Sequence, residues 1–229
     1  QHCRTVAEAG FRGQFYVAPG AGNWNSFSGR LDVARGNIDL AVRSGSRHGA
    51  EGFLLTAWGD GGHHQPWITL YPALVYASAA LRRESLSEAA LAEQIDAVFF
   101  PDSKPGNGAA LCALGKIDGR LPQPAPPRSF IHSAFFASET ALAGELRPLV
   151  SEAQLEDCAS ALEAIPSEGL DPEIQLALDL NRAGLERALG LPVSLDRAEL
   201  AESFSRQWLR HSRPGGLAQS VAQIHTTSG

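Results

Sequence analysis

Trp58 and Asp60 are separated by Gly59 alone, and His63, His64 and Gln65 follow after Gly61 and Gly62. An indole offers a flat apolar wall to the C–H face of a sugar. A carboxylate beside it accepts charge-assisted hydrogen bonds from two hydroxyls, stronger than neutral ones. His63 adds hydrogen-bonding capacity within the same loop. Upstream, Trp24 stands between Asn23 and Asn25, and Tyr16 lies a few residues earlier. The plainer account of each is structural: core tryptophans, a turn aspartate and hydrogen bonding within a loop. Asp60, His63 and His64 do not make a metal set, because adjacent histidines seldom converge on one ion. No second carboxylate or cysteine is spaced to complete the ligands, so no metal is expected. Trp67 and Tyr71 read as packing residues, and His132 and Cys158 as parts of a helical core. No third orienting group supports a Cys–His nucleophile.

The elements that must position these residues alternate. Residues 14–18 are short, aromatic and β-branched and stop at Pro19-Gly20, the pattern of a strand ending in a turn. A polar loop carries Trp24, and residues 30–44 then place Leu31, Ala34, Ile38 and Ala41 near one helical face. A second apolar run, 52–56, delivers the Trp58 loop, and an apolar segment resumes behind Pro72. Two strands joined by a helical crossover imply parallel pairing. Each unit has the span of one eighth of a (β/α)8 barrel of about 250 residues. Two such units cannot close a barrel, so the strands are expected to join a sheet supplied from elsewhere. Beyond residue 85 the periodicity turns helical: 87–100 with Ser87 as N-cap, then 139–146, 151–165, 171–189 and 197–211. Residues 130–136 are open between strand and helix, and the proline-rich 121–128 reads as a connector.

Composition narrows the classes. Of 229 residues, 44% are hydrophobic and 19% charged, a globular balance. A net charge of −6 leaves no basic stripe for nucleic acid. No apolar run approaches the roughly 18 residues of a membrane span. Cys3, Cys112 and Cys158 are far apart and odd in number, which favours a reducing compartment, the cytoplasm. Gln1 is not an initiator methionine and no signal-peptide core follows it, so the chain is expected to be part of a longer one.

Several motifs together resemble a bacterial branch of the glycoside hydrolase family 20 β-N-acetylhexosaminidases. They are Asn23-Trp24-Asn25-Ser26, Gly29-Arg30, Asn37-Ile38, Gly49-Ala50-Glu51-Gly52, Leu54-Leu55-Thr56, and Trp58-Gly59-Asp60 with Gly62-His63 and Gln65. Near the end, Trp208, Arg213-Pro214-Gly215-Gly216-Leu217 and Ser220 are similar to that branch's helical region. The resemblance implies a (β/α)8 barrel, with residues 15–18 as its seventh strand and 53–56 as its eighth. It implies exo-acting, retaining hydrolysis of terminal N-acetylhexosamine, assisted by the substrate's own acetamido group and needing no cofactor. Trp58 and Trp24 would wall the sugar and Asp60 would hold its hydroxyls.

The family's catalytic Asp-Glu pair is missing. The only adjacent acidic pair, Glu156-Asp157, falls in a predicted helix, and Ala57 stands where that branch commonly has aspartate.

The expectation is therefore an α/β region turning all-α. Residues 1–85 form the last two βα units of a TIM barrel, and residues 86–229 form a C-terminal helical domain. The parent protein is expected to be a hexosaminidase, and this chain inactive without its missing N-terminal barrel portion. The expected substrate-binding residues are Trp58, Asp60, Trp24, Tyr16 and His63, with carbohydrate as the partner and neither nucleic acid nor membrane. Two rival readings are a non-catalytic, degenerate sugar-binding relative and a helical interaction module.

Overall fold

A computed structural model describes residues 2–11, 13–124 and 128–226. After a short helix, α1 (His2–Val6), strand β1 (Tyr16–Val17) leads into α2 (Leu31–His48), which returns to β2 (Gly52–Phe53). Helix α2 forms because Leu31, Ala34, Ile38 and Gly45 make one buried stripe at helical spacing, and Gly49 ends it in a left-handed cap. The strands are parallel, with Tyr16 opposite Gly52 and Val17 opposite Phe53, and a bridge between Gly20 and Thr56 extends the pairing. Tyr16 can lie flat across the sheet only because residue 52 has no side chain. A Cβ there would sit 1.7 Å from the ring.

The rest is helix. It comprises α3 (Tyr71–Leu81), α4 (Glu88–Phe99), α5 (Asn107–Leu114), α6 (Phe130–Phe136), α7 (Glu139–Ala141), α8 (Glu152–Glu163), α9 (Pro172–Leu189), α10 (Arg197–His211) and α11 (Leu217–His225). Ser87 does cap α4, accepting from the Ala90 N–H. Asp171 caps α9, and Pro172 occupies its first turn, where a missing N–H costs nothing. The proline-rich connector lies partly outside the described residues, at 125–127.

Helix α9 is the axis of the molecule. Ile174, Leu176, Leu178, Leu180 and Leu185 are all buried, although they point to different sides, because α5, α6, α8 and α10 surround it. Each such side chain contributes about 1.5–3 kcal/mol by leaving water. Gly184 lets α6 approach closely, since a Cβ there would lie 2.6 Å from the Ile131 carbonyl oxygen. One continuous apolar core takes Phe27, Leu31, Ile68 and Val75 from before residue 86 and Leu91, Phe135, Leu178 and Phe204 from after it.

The barrel reading is overturned. Among the described residues the chain is 64% helical, and its single sheet has two strands, which is not a (β/α)8 fragment. The strands are two residues long rather than five, and the sheet has only one covered face. Helix α2 packs on that face, while Tyr16 and Leu54 stay 65% and 60% exposed. Parallel barrel strands are buried on both faces. The periodicity that reads as strand, helix, strand is real, but it cannot report how many further strands lie alongside. No described helix is long and apolar enough to cross a membrane.

Candidate functional site

The loops that follow β1 and β2 are tied to each other. Asn23 donates its side-chain N–H to the Trp58 carbonyl at 3.1 Å and accepts from the Trp58 N–H at 3.4 Å. Gln65 donates to the same carbonyl at 3.2 Å. The indole N–H of Trp58 reaches Thr56 Oγ1 at 3.1 Å, and that hydroxyl in turn donates to the Pro19 carbonyl. The tryptophan is thus held at its backbone and at its ring nitrogen, yet 56% of its surface faces solvent. The ring is therefore held in place while one side of it stays open to solvent.

The Asn23 loop is anchored beneath. Arg30, buried and left-handed at φ 38°, donates Nε to the Gly22 carbonyl and an η nitrogen to the Trp24 carbonyl. Its guanidinium covers the Trp24 ring at 4.9 Å. Ser26 donates to the buried carboxylate of Asp118 at 2.6 Å, and Ser129 donates to its other oxygen. Ser28 reaches Asn181 on α9 at 3.0 Å. Burial pushes the Asp118 carboxyl up, while the Ser129 and Ser26 hydrogen bonds and the Arg30 charge pull it down. Burial likewise lowers Arg30, against the attraction of Asp118. This polar web has no free acid or nucleophile; it is scaffolding.

The Trp58 loop is anchored from the C-terminal end. Ser220 on α11 donates to the Gly62 carbonyl at 2.6 Å, and its own carbonyl lies 3.2 Å from His64 Nε2. His64 is buried among Phe136, Phe204 and His132, and burial lowers its pKa to about 4.

The five expected site residues separate. Trp58 and Asp60 share the exposed rim of one loop. Trp24 is half-buried, its ring over Gly20 and the Arg30 guanidinium beside it. Tyr16 lines an open groove of about 530 Å³ along β1, with Asn37 and Leu40. His63 turns behind Gly59 into a cleft with Trp67 and Trp208, and burial lowers its pKa. That cleft, about 20 Å³, has room for about one water and not for a sugar ring. Glu156 and Asp157 lie on α8, where Asp157 pairs with Arg120 at 2.7 Å.

In the sequence Asn23 reads only as a flank of Trp24, and Arg30 only as part of a motif. Neither residue type says that it will clamp a carbonyl. Asp118 had no signal, since its partner Ser26 is 92 positions away. No protein-family model matches the chain, and no curated protein matches it. The glycosidase resemblance therefore rests on the motifs quoted from the chain.

Proposed function

We propose that the chain binds a terminal N-acetylhexosamine on the Trp58 loop, as the sugar-holding part of a β-N-acetylhexosaminidase-like hydrolase. It does not itself cleave the glycosidic bond. The observation that carries this reading is the clamped, exposed indole of Trp58 with the Asp60 carboxylate on the same rim. A sugar's C–H face stacks on such a ring, and binding spends little on ordering it because Asn23, Gln65 and Thr56 already hold it. Asp60, exposed and two residues on, is placed to accept from hydroxyls. The resemblance supplies the sugar class. Among the described residues no Asp-Glu pair stands beside the loop, so it lacks the acid/base that cleavage needs. The three cysteines are unpaired, and we propose the cytoplasm as compartment on that ground.

Titration of tryptophan fluorescence with N-acetylglucosamine and its β-1,4 dimer tests the reading. Saturable quenching with a millimolar Kd, about −4 kcal/mol, is expected in the native chain and absent in Trp58→Ala. Equal quenching in the two proteins, or none in either, overturns it. Release of nitrophenol from the aryl N-acetylglucosaminide by the native chain but not by Trp58→Ala would refute the non-cleaving half.

A further inference from the structure

A second cavity, of about 260 Å³, opens beside α6 and belongs to neither strand loop's exposed rim. Its lining includes Asn25, Arg128, His132, Ser133, Phe136 and Glu145. Within the helical layer His132 reads as a core residue, and 92% burial would fit that: only 8% of its surface is exposed. Its ring packs against Phe27 and Phe136, both 4.9 Å away between centroids. Yet neither ring nitrogen makes a hydrogen bond among the described residues, where the residue's backbone N–H is satisfied by Ser129. Unlike the enclosed Arg128 Nε, these ring nitrogens are reached from the cavity, where they are free to meet a ligand.

The neighbouring groups indicate what that something is. Arg128 forms no ion pair among the described residues, and its Nε is enclosed without a partner there. It lies close enough for its charge to act on His132, which burial, His64, Arg128 and Arg30 together hold at about 3, and so neutral. A neutral imidazole contributes one N–H donor and one acceptor. The Ser133 hydroxyl gives its proton to the Ser129 carbonyl at 2.8 Å, which leaves its lone pairs facing outward. Phe136 supplies an apolar wall. Glu145 is exposed on the rim and adds a negative charge, which disfavours a dianion and suits a monoanion carrying a donor group.

We propose that this cavity binds a small organic carboxylate. The carboxylate would lie between the Arg128 guanidinium and the His132 N–H, its apolar part would rest against Phe136, and any hydroxyl or ammonium group would turn towards Ser133 and Glu145. The site is separate from the Trp58 platform and does not depend on the sugar-binding reading. Asn25 and His64 lie between the two: Asn25 Oδ1 is 2.9 Å from where a Cβ on Gly61 would stand, and the His64 ring packs on Phe136 at 4.5 Å.

Histidine ring nitrogens of the full-length labelled chain, followed by NMR at pH 7.5 and constant ionic strength, give the test. Propionate and lactate are the probes, with inorganic phosphate as the dianion control. A saturable shift of the His132 resonances is expected with either carboxylate. Phosphate should bind at least tenfold more weakly. Arg128→Gln, a change at a partly exposed position, should weaken propionate at least tenfold, while Trp58→Ala should leave it unchanged. No saturable His132 shift, phosphate binding as tightly as propionate, or an Arg128→Gln chain that binds propionate normally would each overturn the proposal. His132→Gln is uninformative if it unfolds, so Ser133→Ala serves as the second variant. It should weaken lactate relative to propionate, and an unchanged ratio refutes the assigned orientation.

Discussion

The strand pair and the helical layer are built to different standards. Helix α9 is wrapped on nearly every side, whereas the sheet has two residues per strand, one covered face and one bare. Even so, the Trp58 loop, which hangs from the sheet, is firmly held. Its rigidity comes across space, through Asn23, then Ser26 and Ser28, to Asp118 and Asn181, and through Ser220 on α11. A weak sheet can present a rigid platform when side chains anchor the platform to a stronger neighbour.

Cutting that anchor is the severest way to break the contrast. Asp118→Ala leaves the Ser26 and Ser129 hydroxyls without their buried acceptor and the Arg30 guanidinium without a nearby opposite charge. We expect a loss of about 3–5 kcal/mol, read from the urea midpoint, with Asp118→Asn losing roughly 1–3 kcal/mol. An Asp118→Ala chain as stable as the native one would mean the web holds nothing.

Acid sharpens the comparison next. His64 and His132 titrate at about 4 and about 3 when folded and near 6.5 when unfolded. Below pH 6.5 the unfolded chain takes up protons that the folded chain refuses. Stability is therefore complete above that pH and falls as pH drops through 4 and then 3. His64 alone accounts for about 3 kcal/mol of that loss. Unfolding free energies measured from pH 7 to 4 should slope downward, and His64→Gln should flatten the slope. A pH-independent profile would contradict the neutral, buried imidazoles.

The smallest effect belongs to the bare sheet face. Leu54→Ser should change stability by no more than about 0.5 kcal/mol in thermal melts, because its side chain is already in water. A larger loss would show that something covers that face in solution.

How much of this was legible follows from the range of each signal. Local signals held for the Leu31, Ala34 and Ile38 stripe of α2, the Ser87 cap, and the span of α9 between Asp171-Pro172 and Gly190, all within a few residues of what they specify; α2 itself runs past Ser44 to His48, with Gly45 rather than Ala41 buried. The helix of α5 went unread because Gly108, Ala109, Ala110 and Ala113 give no polar face to set a period, and much of the helix is buried. The barrel expectation failed for the opposite reason. A strand's own residues reveal that it pairs, but not how many strands complete the sheet. At the site, Trp58 and Asp60 were visible as residue types in a glycine-rich loop. The clamp by Asn23 and the tie from Ser26 to Asp118 join partners tens of positions apart, for which one sequence carries no sign, while the His132 cavity gathers residues 128–146 around Asn25 only once α6 has packed.

The reciprocal bond between Asn23 and Trp58 has a consequence for the order in which parts of the molecule come loose. The amide protons of Leu54 and Thr56, donated to the Val17 and Pro19 carbonyls, sit in a ladder with one bare face and should exchange with solvent early. The Trp58 N–H, although it lies at the exposed end of that ladder, is held by a side chain rooted in the helices. It should therefore exchange in step with the helices, on the slower clock of the molecule.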